Sequence, residues 1–276
     1  MLYGAILGDI IGSPYEFDEE MKTKDFELFS PDCRFTDDTV MTLAIAKALL
    51  LIEPNSTTDD FRQCVIKMMK QLGLAYNNVG YGGNFFDWLL DDKPKPYGSW
   101  GNGSAMRVSA VGWAFDSIEK TREYARASAD VTHNHPEGIK GAEAVAASIY
   151  LARTGHSKEY IKKYISDEFH YDLNRTIEQI RPGFKMDESC QGTVPESIIG
   201  FLESDSYEDT LRNVISLGGY TDTTGAIAGS IAEAFYGIPE YMIEKCRTYL
   251  DERLLTILDK FIDIYEGNNQ TTIENN

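Results

Sequence analysis

The stretch TDDTVMTLAIAKALLLI, residues 36–52, decides the fold class of this chain. From Thr39 onward it is apolar on nearly every side of a helix, a pattern typical of a central, buried helix. Thr36 is a suitable N-cap, and carboxylates in a first turn, here Asp37 and Asp38, complement the helix dipole. Two adjacent carboxylates at the start of a buried helix are costly unless they are paired or bind a metal ion. The stretch therefore predicts a core helix that begins either with a plain cap or with a cation site.

Helical patterns continue on both sides of this stretch. Cap residues, helix-starting prolines and glycines after the last turn mark the ends of segments with apolar residues at helical spacing. Further helices are predicted at 59–72, 117–129, 136–152, 158–169, 194–202, 207–217, 224–235 and 239–265. Alternating strand patterns are scarce, and no internal repeat is present. We expect an all-α, single-domain bundle over residues 1–267, followed by a polar tail at 268–276.

Three glycines near the start of the chain recur at a four-residue spacing. Gly4, Gly8 and Gly12 would lie on one side of a helix, which predicts close packing against a second helix. Asp9 stands between them and is interpreted as a structural, hydrogen-bonding acid.

The charge of the chain limits its partners. Its 276 residues include 26 Lys and Arg against 44 Asp and Glu, a formal net charge of -18 at pH 7. Such a charge repels nucleic-acid backbones and anionic lipid surfaces, so neither general nucleic-acid binding nor a membrane partner is expected. A ligand that carries phosphate would need a local device, such as a metal ion or backbone N–H groups.

Cysteine usage and hydropathy indicate a cytoplasmic protein. The four cysteines are far apart and form neither a zinc pattern nor a disulfide framework. The apolar N-terminal stretch has no basic leader and is interrupted by Asp9, which argues against a signal peptide. The longest apolar run, residues 43–52, contains Lys47 and is too short to span a bilayer.

A second acidic helix start is GGYTDTTG, residues 218–225. Asp222 and Thr223 offer two oxygen ligands, and Gly219 and Gly225 allow close approach of the backbone. Taken alone, this is an N-cap followed by a helix of small residues. Together with the first acidic start, it can converge on a hard divalent cation such as Mg²⁺, Mn²⁺ or Ca²⁺.

Two long segments, residues 12–35 and 77–106, are predicted to lack helices, and such loops are usually functional or mobile. The second leads into SWGNGSAMR, residues 99–107, where backbone N–H groups can bind phosphate and Trp100 can stack on a ring. The alternative is a turn beside a core tryptophan. In the first segment, Glu16 is a carboxylate suited to general-base chemistry, although nothing in the local sequence distinguishes it from Asp18, Glu19 or Glu20.

The histidines of THNHP, residues 132–136, join two predicted helices. Their spacing is not that of a helical zinc site. Most histidines in such turns cap a helix or bond to the backbone, and the alternative for His133 is a neutral donor to a phosphate or a ribose.

Five motifs occur in one order along the chain: GAILGDIIGSPYEF, FTDDTVMT, SWGNGSAMRVSAVGW, THNHPEGIKGA and GGYTDTTGAIAGSIAEAFYG. In this order they resemble the ADP-ribosylglycohydrolase family, also called ADP-ribosyl hydrolases, from residue 4 to about residue 237. The resemblance implies an orthogonal helical bundle with a metal-containing cleft that binds ADP-ribose. It also implies a divalent-metal-dependent hydrolase that releases ADP-ribose by cleaving the anomeric glycosidic bond of an ADP-ribosylated substrate.

The resemblance further implies the residues of the site. The implied cofactor is a pair of Mg²⁺ or Mn²⁺ ions, with the ligands Thr36, Asp37, Asp38, Asp222 and Thr223. The residues implied to bind ADP-ribose are Gly82, Ser99, Trp100, Gly101, Asn102, Gly103, His133 and Tyr220. Asp38 and Asp222 are implied to be catalytic together with Glu16, which matches the acid/base of the branch that cleaves serine-linked or polymeric ADP-ribose.

One position departs from the family pattern. The second metal motif usually reads Gly-Gly-Asp, then Thr or Ser, then Asp-Thr, whereas Tyr220 occupies the first acidic position here. A neutral phenol, with an ordinary pKa of about 10, is a poor substitute for a carboxylate at a hard metal. One of the two ions is therefore expected to bind weakly, to be held differently or to be absent. The alternative function is an ADP-ribose-binding protein with weak or no turnover.

A third function is a Mg²⁺-dependent diphosphate enzyme of the isoprenoid kind, which also uses acids on helices. Its Asp-Asp-x-x-Asp spacing is missing, because Asp37 and Asp38 are followed by Thr39, Val40 and Met41. The acceptor of the ADP-ribosyl group stays open among serine, arginine, a nucleic-acid end and small metabolites.

Overall fold

The computed structural model describes residues 1–273, with side chains described through residue 265. Within that part of the chain the regular elements are helices, apart from an isolated β-bridge between Gly101 and Ser189. The prediction of an all-α fold is confirmed. The α-helices are α1 (Tyr3–Gly12), α2 (Asp37–Leu49), α3 (Thr58–Ala75), α4 (Gly83–Leu90), α5 (Gly103–Met106), α6 (Ser109–Ala114), α7 (Ile118–Ala129), α8 (Pro136–Arg153), α9 (Lys158–Phe169), α10 (Ile177–Ile180), α11 (Cys190–Leu202), α12 (Tyr207–Ile215), α13 (Thr221–Tyr236), α14 (Glu240–Arg247) and α15 (Glu252–Ile273). Short 3₁₀ helices lie at Ser13–Tyr15 and Arg181–Gly183.

In two predicted regions the number of helices differs from the structure. Residues 239–265 form two helices rather than one, because the side chain of Asp251 accepts a hydrogen bond from a backbone N–H three residues later and caps a new helix. Residues 77–106 contain α4 and α5 although no helix was predicted there. In α4 three apolar side chains at helical spacing are buried, a signal that the surrounding glycines obscured: Phe85, Trp88 and Leu89.

Helices α1 and α13 are in direct backbone contact at the centre of the fold. A Cβ added to Gly8 would lie 2.0 Å from the carbonyl oxygen of Gly225, and one added to Gly4 would lie 2.3 Å from that of Gly229. Gly12 meets the carbonyl of Thr221, the first residue of α13, at 2.3 Å in the same way. The predicted close packing of the three glycines is confirmed. It places the C-terminal end of α1 against the first turn of α13.

Helix α2 lies in the core, as predicted. All of its residues except Asp37 and Lys47 are buried, because α1, α3, α6 and α15 pack around it. It ends at Leu49, short of the predicted end at residue 52, since the N–H of Leu51 bonds the carbonyl of Ala48 and tightens the last turn. The burial of α2 carries Asp38 into the interior.

The division of the chain at residue 267 stays a prediction. Helix α15 continues to Ile273, so the proposed polar tail at 268–276 begins within this helix, and residues 274–276 lie outside the described residues. None of the helices in residues 1–273 combines the length and the apolarity needed to cross a membrane.

Gly8→Ala tests the contact between α1 and α13. We expect it to lower the free energy of unfolding by about 3 kcal/mol or more, because the methyl group would overlap the Gly225 backbone and separate the helices. Urea unfolding followed by circular dichroism measures the change. The matched control is Gly183→Ala, where a Cβ meets no described atom within 4 Å and a change within about 0.5 kcal/mol is expected. Equal stability of the two variants would contradict the close contact.

Candidate active site

The two acidic helix starts meet in one cleft of about 530 Å³. The first turns of α2 and α13 form its floor, and loop residues on either side form its walls. The sequence-predicted residues that line it are Glu16, Asp37, Asp38, Gly82, Ser99, Trp100, Gly101, Asn102, Gly103, His133, Tyr220, Asp222 and Thr223. Thr36 is buried behind this lining. The structure thus brings together segments that lie far apart in the sequence.

Asp9 of α1 holds the start of α2 in place. Its buried carboxylate accepts hydrogen bonds from the backbone N–H groups of Thr36 (2.9 Å) and Thr39 (3.0 Å), and from the hydroxyl groups of the same two residues. These contacts match the structural role predicted for Asp9. The hydroxyl oxygen of Thr36 accepts from the N–H of Asp38 (3.4 Å), so Thr36 is the N-cap, as predicted, and Asp9 caps the same turn with it. The carboxylates of Asp37 and Asp38 line the cleft.

Like charges are concentrated at the cleft floor. Asp38 and Asp222 are only 2% and 3% exposed. Burial, reinforced by repulsion between carboxylates, raises the pKa of both groups well above the ordinary range. Burial also raises the pKa of Asp37 to about 7 and that of Asp9 to about 6. The floor therefore favours protons or a cation over four free carboxylates.

Oxygen atoms around Asp38 form a hard donor set. One carboxylate oxygen, Oδ2, lies 3.4 Å from Thr223 Oγ1 and 3.5 Å from Thr36 Oγ1. The other, Oδ1, is buried and has no hydrogen-bond partner among the described atoms. Such an oxygen calls for a further partner, and oxygen ligands suit Mg²⁺ or Mn²⁺.

The described side chains do not enclose an ion by themselves. In residues 1–265 no three acidic, histidine or cysteine side chains are close enough together to form a complete metal cage. Mg²⁺ usually retains several waters and takes only one or two carboxylates. The donor chemistry of the floor therefore fits a partly hydrated cation, with hydroxyl oxygens and water completing its shell.

Glu16 reaches the cleft on a loop that is tied to the start of α13. The N–H of Phe17 donates to the carbonyl of Gly219 (2.8 Å), and the N–H of Gly219 donates to that of Asp18 (3.4 Å). Glu16 is half-buried, and burial raises the pKa of its carboxyl group. A carboxyl group of this kind is suited to proton transfer.

Glycines line the opposite wall. A Cβ at Gly82 or Gly98 would meet none of the described atoms within 4 Å, and one at Gly103 would lie 3.0 Å from Nε2 of His133. His133 is 5% exposed, and burial together with a nearby arginine holds its pKa well below the ordinary range. Trp100 stands at the rim with 43% of its surface exposed. This wall offers room, a neutral imidazole and a free aromatic ring.

Tyr220 lines the cleft immediately before α13. Its ring packs edge-on against Phe17, with 5.7 Å between ring centroids. Burial and the neighbouring carboxylates raise the pKa of its phenol, so the hydroxyl keeps its proton at neutral pH. The position therefore carries no negative charge.

The cleft also contains residues that were not among the predicted site residues. Phe17, Arg107 and Glu188 line it. The backbone carbonyl of Glu188 accepts a hydrogen bond from the N–H of Asn102 (2.7 Å) and so supports the glycine-rich strip. Two of the three lie in motifs quoted above: Phe17 ends GAILGDIIGSPYEF, and Arg107 is the single basic residue in SWGNGSAMRVSAVGW, residues 99–113.

Comparisons with known proteins agree on one family. The ADP-ribosylglycohydrolase family model matches residues 1–271. The ADP-ribosylhydrolase ARH3 of Homo sapiens is 27% identical over 331 residues, covering 92% of this chain and 90% of that protein. The ARH3 of Danio rerio is 27% identical, covering 86% of this chain and 82% of that protein. A solved ADP-ribosylglycohydrolase-related protein complex superimposes with a TM-score of 0.66 at 23% identity, over 94% of this chain and 95% of that one, which shows a shared fold.

The chain belongs to the ADP-ribosylglycohydrolase family, as its five motifs predicted. Membership supports a hydrolase that acts on ADP-ribosyl linkages.

In the absence of divalent cations, stability is expected to fall as the pH rises from about 4 to about 7. In this pH range, a carboxyl group whose pKa is raised by folding is still protonated in the folded state but ionised in the unfolded state. The free energy of unfolding therefore decreases as the pH rises. Melting temperatures measured in EDTA between about pH 4 and about pH 7 test this effect. Asp37→Asn removes one such group and should flatten the profile, whereas Asp263→Asn, at an exposed position of α15, should not. Identical profiles for both variants would contradict this account.

Proposed function

We propose that this chain is a divalent-cation-dependent hydrolase that releases ADP-ribose by cleaving the N- or O-glycosidic bond at the anomeric carbon of an ADP-ribosylated substrate. The observation that carries the proposal is the meeting of two acidic helix starts, Asp37-Asp38 and Asp222-Thr223, opposite a glycine-lined wall in one cleft. Family membership supplies the ligand class, and the names of the ARH3 relatives describe hydrolysis of ADP-ribosyl groups in those proteins.

The cleft suits a ligand of this size and polarity. Its volume of about 530 Å³ lies within the range of sites for nucleotide-sized molecules. The glycine wall lets the diphosphate approach the backbone, and the neutral imidazole of His133 can donate to a phosphate or ribose oxygen. The exposed ring of Trp100 offers a stacking surface for the adenine.

The acidic floor is the proposed cation site. Asp38, with its unpartnered buried Oδ1, is the proposed centre of this site, and Asp37, Asp222 and the hydroxyl of Thr223 would help to hold Mg²⁺ or Mn²⁺ partly through bound water, since three acids do not converge directly in the described residues. Thr36 donates its hydroxyl proton to Asp9 at 2.8 Å, which directs an oxygen lone pair away from Asp9 and leaves this residue as a further ligand. When bound, such a cation orients hydroxyl groups and water and offsets negative charge.

Glu16 is the proposed acid/base. The hydrogen bond from Phe17 to Gly219 holds its loop against the start of α13, so the carboxyl group stays at the edge of the acidic floor. Glycosidic cleavage passes through an oxocarbenium-like state and needs a proton for the leaving group and a base for water. A carboxyl group with a raised pKa supplies the proton in its acid form and accepts one in its ionised form.

Asp38→Ala and Asp222→Ala test the acidic floor. Each should lower divalent-dependent release of ADP-ribose at least about 100-fold, because the charge that holds the cation is lost. Free ADP-ribose is measured with serine-linked and arginine-linked ADP-ribosyl peptides, in Mg²⁺, Mn²⁺ and EDTA. Asp25→Ala, at an exposed position outside the cleft, is the matched control and should retain wild-type rates. Full wild-type activity in EDTA would overturn the proposed cation dependence.

A second candidate function rests on Tyr220. A protonated phenol stands at the cleft where the family pattern has a carboxylate. With one acidic ligand fewer, the chain would bind ADP-ribose with weak or no turnover.

Tyr220→Asp distinguishes the two functions. If the natural chain is a binder, the substitution should add a second strong Mn²⁺ site in calorimetry and raise turnover about tenfold or more. Tyr220→Phe removes only the hydroxyl group and serves as the control. Two strong Mn²⁺ sites and turnover in the wild-type protein would reject the binder and leave the hydrolase.

A further inference from the structure

Arg107 is a buried cation beneath the glycine-rich strip. Its side chain is 1% exposed, and no carboxylate of the described residues lies within ion-pair distance of its guanidinium. Nη1 donates to the carbonyl of Gly103 (3.0 Å), and Nη2 donates to the carbonyl of Ser128 (2.9 Å) and to Oγ1 of Thr132 (2.8 Å). A buried arginine is costly, and Nε of Arg107 has no hydrogen-bond partner among the described atoms. Its two terminal nitrogens bond to backbone and hydroxyl oxygens, so a salt bridge does not explain its position.

The hydroxyl group of Thr132 connects Arg107 to His133. Oγ1 of Thr132 lies 2.7 Å from Nδ1 of His133 and 3.5 Å from the carbonyl of Ala129. Arg107 has only donors, so the Thr132 oxygen must accept from it and retains one proton to donate. The Ala129 carbonyl already accepts the N–H groups of Thr132 (3.1 Å) and His133 (2.8 Å). The short contact to Nδ1 is therefore the better use of the hydroxyl proton.

This hydrogen-bond count determines where His133 carries its own proton. A neutral imidazole has one donor and one acceptor nitrogen. If Nδ1 accepts from Thr132, the proton is on Nε2. The opposite tautomer would make the Thr132 oxygen accept twice and send its proton to a carbonyl 3.5 Å away, which is a poor hydrogen bond.

Nε2 of His133 faces the part of the cleft that is lined with glycine. A Cβ on Gly103 would lie 3.0 Å from Nε2, and one on Gly101 would lie 3.6 Å from it. His133 lines the cleft, and its low pKa keeps the ring neutral, with a single ring proton at pH 7. The ring proton is thus directed toward ligand oxygen atoms in the cleft.

We infer that Arg107 and Thr132 are positioning residues: the guanidinium holds the Thr132 hydroxyl, which in turn fixes the proton of His133 on Nε2, as a donor to an anionic or hydroxyl oxygen of the ligand. The ligand part of this inference rests on the proposed function, in which that oxygen belongs to ADP-ribose. The proton position does not, because it is set by contacts within the protein.

The test reads the tautomer of His133 in the ligand-free, full-length chain. Two-bond ¹H–¹⁵N correlation spectra distinguish protonated from unprotonated ring nitrogens, and His133→Gln assigns the signal among the four histidines. We expect a protonated Nε2 and an unprotonated Nδ1 in the wild type at neutral pH. Thr132→Val should shift the ring toward the other tautomer and raise the Kd for ADP-ribose about tenfold, the loss of one hydrogen bond.

Matched variants separate this role from general packing. Thr132→Ser keeps the hydroxyl group and should give the wild-type tautomer and the wild-type Kd for ADP-ribose. Thr132→Ala also removes the hydroxyl group and should have the same effect as Thr132→Val in case valine does not fit. Thr121→Val removes another buried hydroxyl, which donates to the Ser117 carbonyl (2.9 Å) away from the cleft, and should change neither readout. A wild-type Nδ1–H tautomer, or an unchanged spectrum in both Thr132→Val and Thr132→Ala, would overturn the inference. If the wild-type protein has the expected tautomer and Thr132→Val shifts it, but the wild type binds no ADP-ribose, the proposed function is refuted and the assigned proton position stands.

Discussion

The close approach of α1 and α13 is the constraint on which the site depends. Where Gly8 faces Gly225, the helix backbones touch with no side chain between them. The same α1 carries Asp9, whose carboxylate holds the first turn of α2 through four hydrogen bonds. One helix therefore sets the positions of both acidic helix starts. A larger residue at Gly8 or a different acceptor at Asp9 would change the spacing between Asp38 and Asp222.

This arrangement places stability and function in opposition. Carboxylates that are forced together in a buried floor raise one another's pKa, and Asp38 keeps an oxygen without a partner among the described atoms. The packing of α2 and α13, which are buried along most of their length, offsets the free-energy cost of these buried carboxylates. Such a floor favours bound protons or a cation over free carboxylates, which is the physical basis of the proposed cation dependence.

In this chain of net charge -18, the two sides of the cleft differ in their electrostatics. The floor concentrates negative charge that can bind a cation. The opposite wall lies over Arg107, a buried positive charge, and presents glycines and a neutral His133. A ligand with a diphosphate and a ribose has groups that match both sides. The negative charge from which we expect no general nucleic-acid binding is therefore compatible with the ADP-ribosyl ligand proposed for this cleft.

The amino-acid sequence alone determined the helical class, the core position of α2, the packing role of Gly4, Gly8 and Gly12, and the family, because periodicity, caps and ordered motifs are local properties of the chain. It did not reveal α4, where glycines surround a short apolar pattern, or the break between α14 and α15, which depends on the cap at Asp251. Only the tertiary structure decided that Asp38 lies beside Thr223, and that Arg107 reaches His133 through Thr132. Asp38 and Thr223 are 185 positions apart, and Arg107 and Thr132 are 25 apart. The contact between the neighbours Thr132 and His133 depends on how their buried side chains are oriented. Local spacing in the sequence encodes neither of these properties.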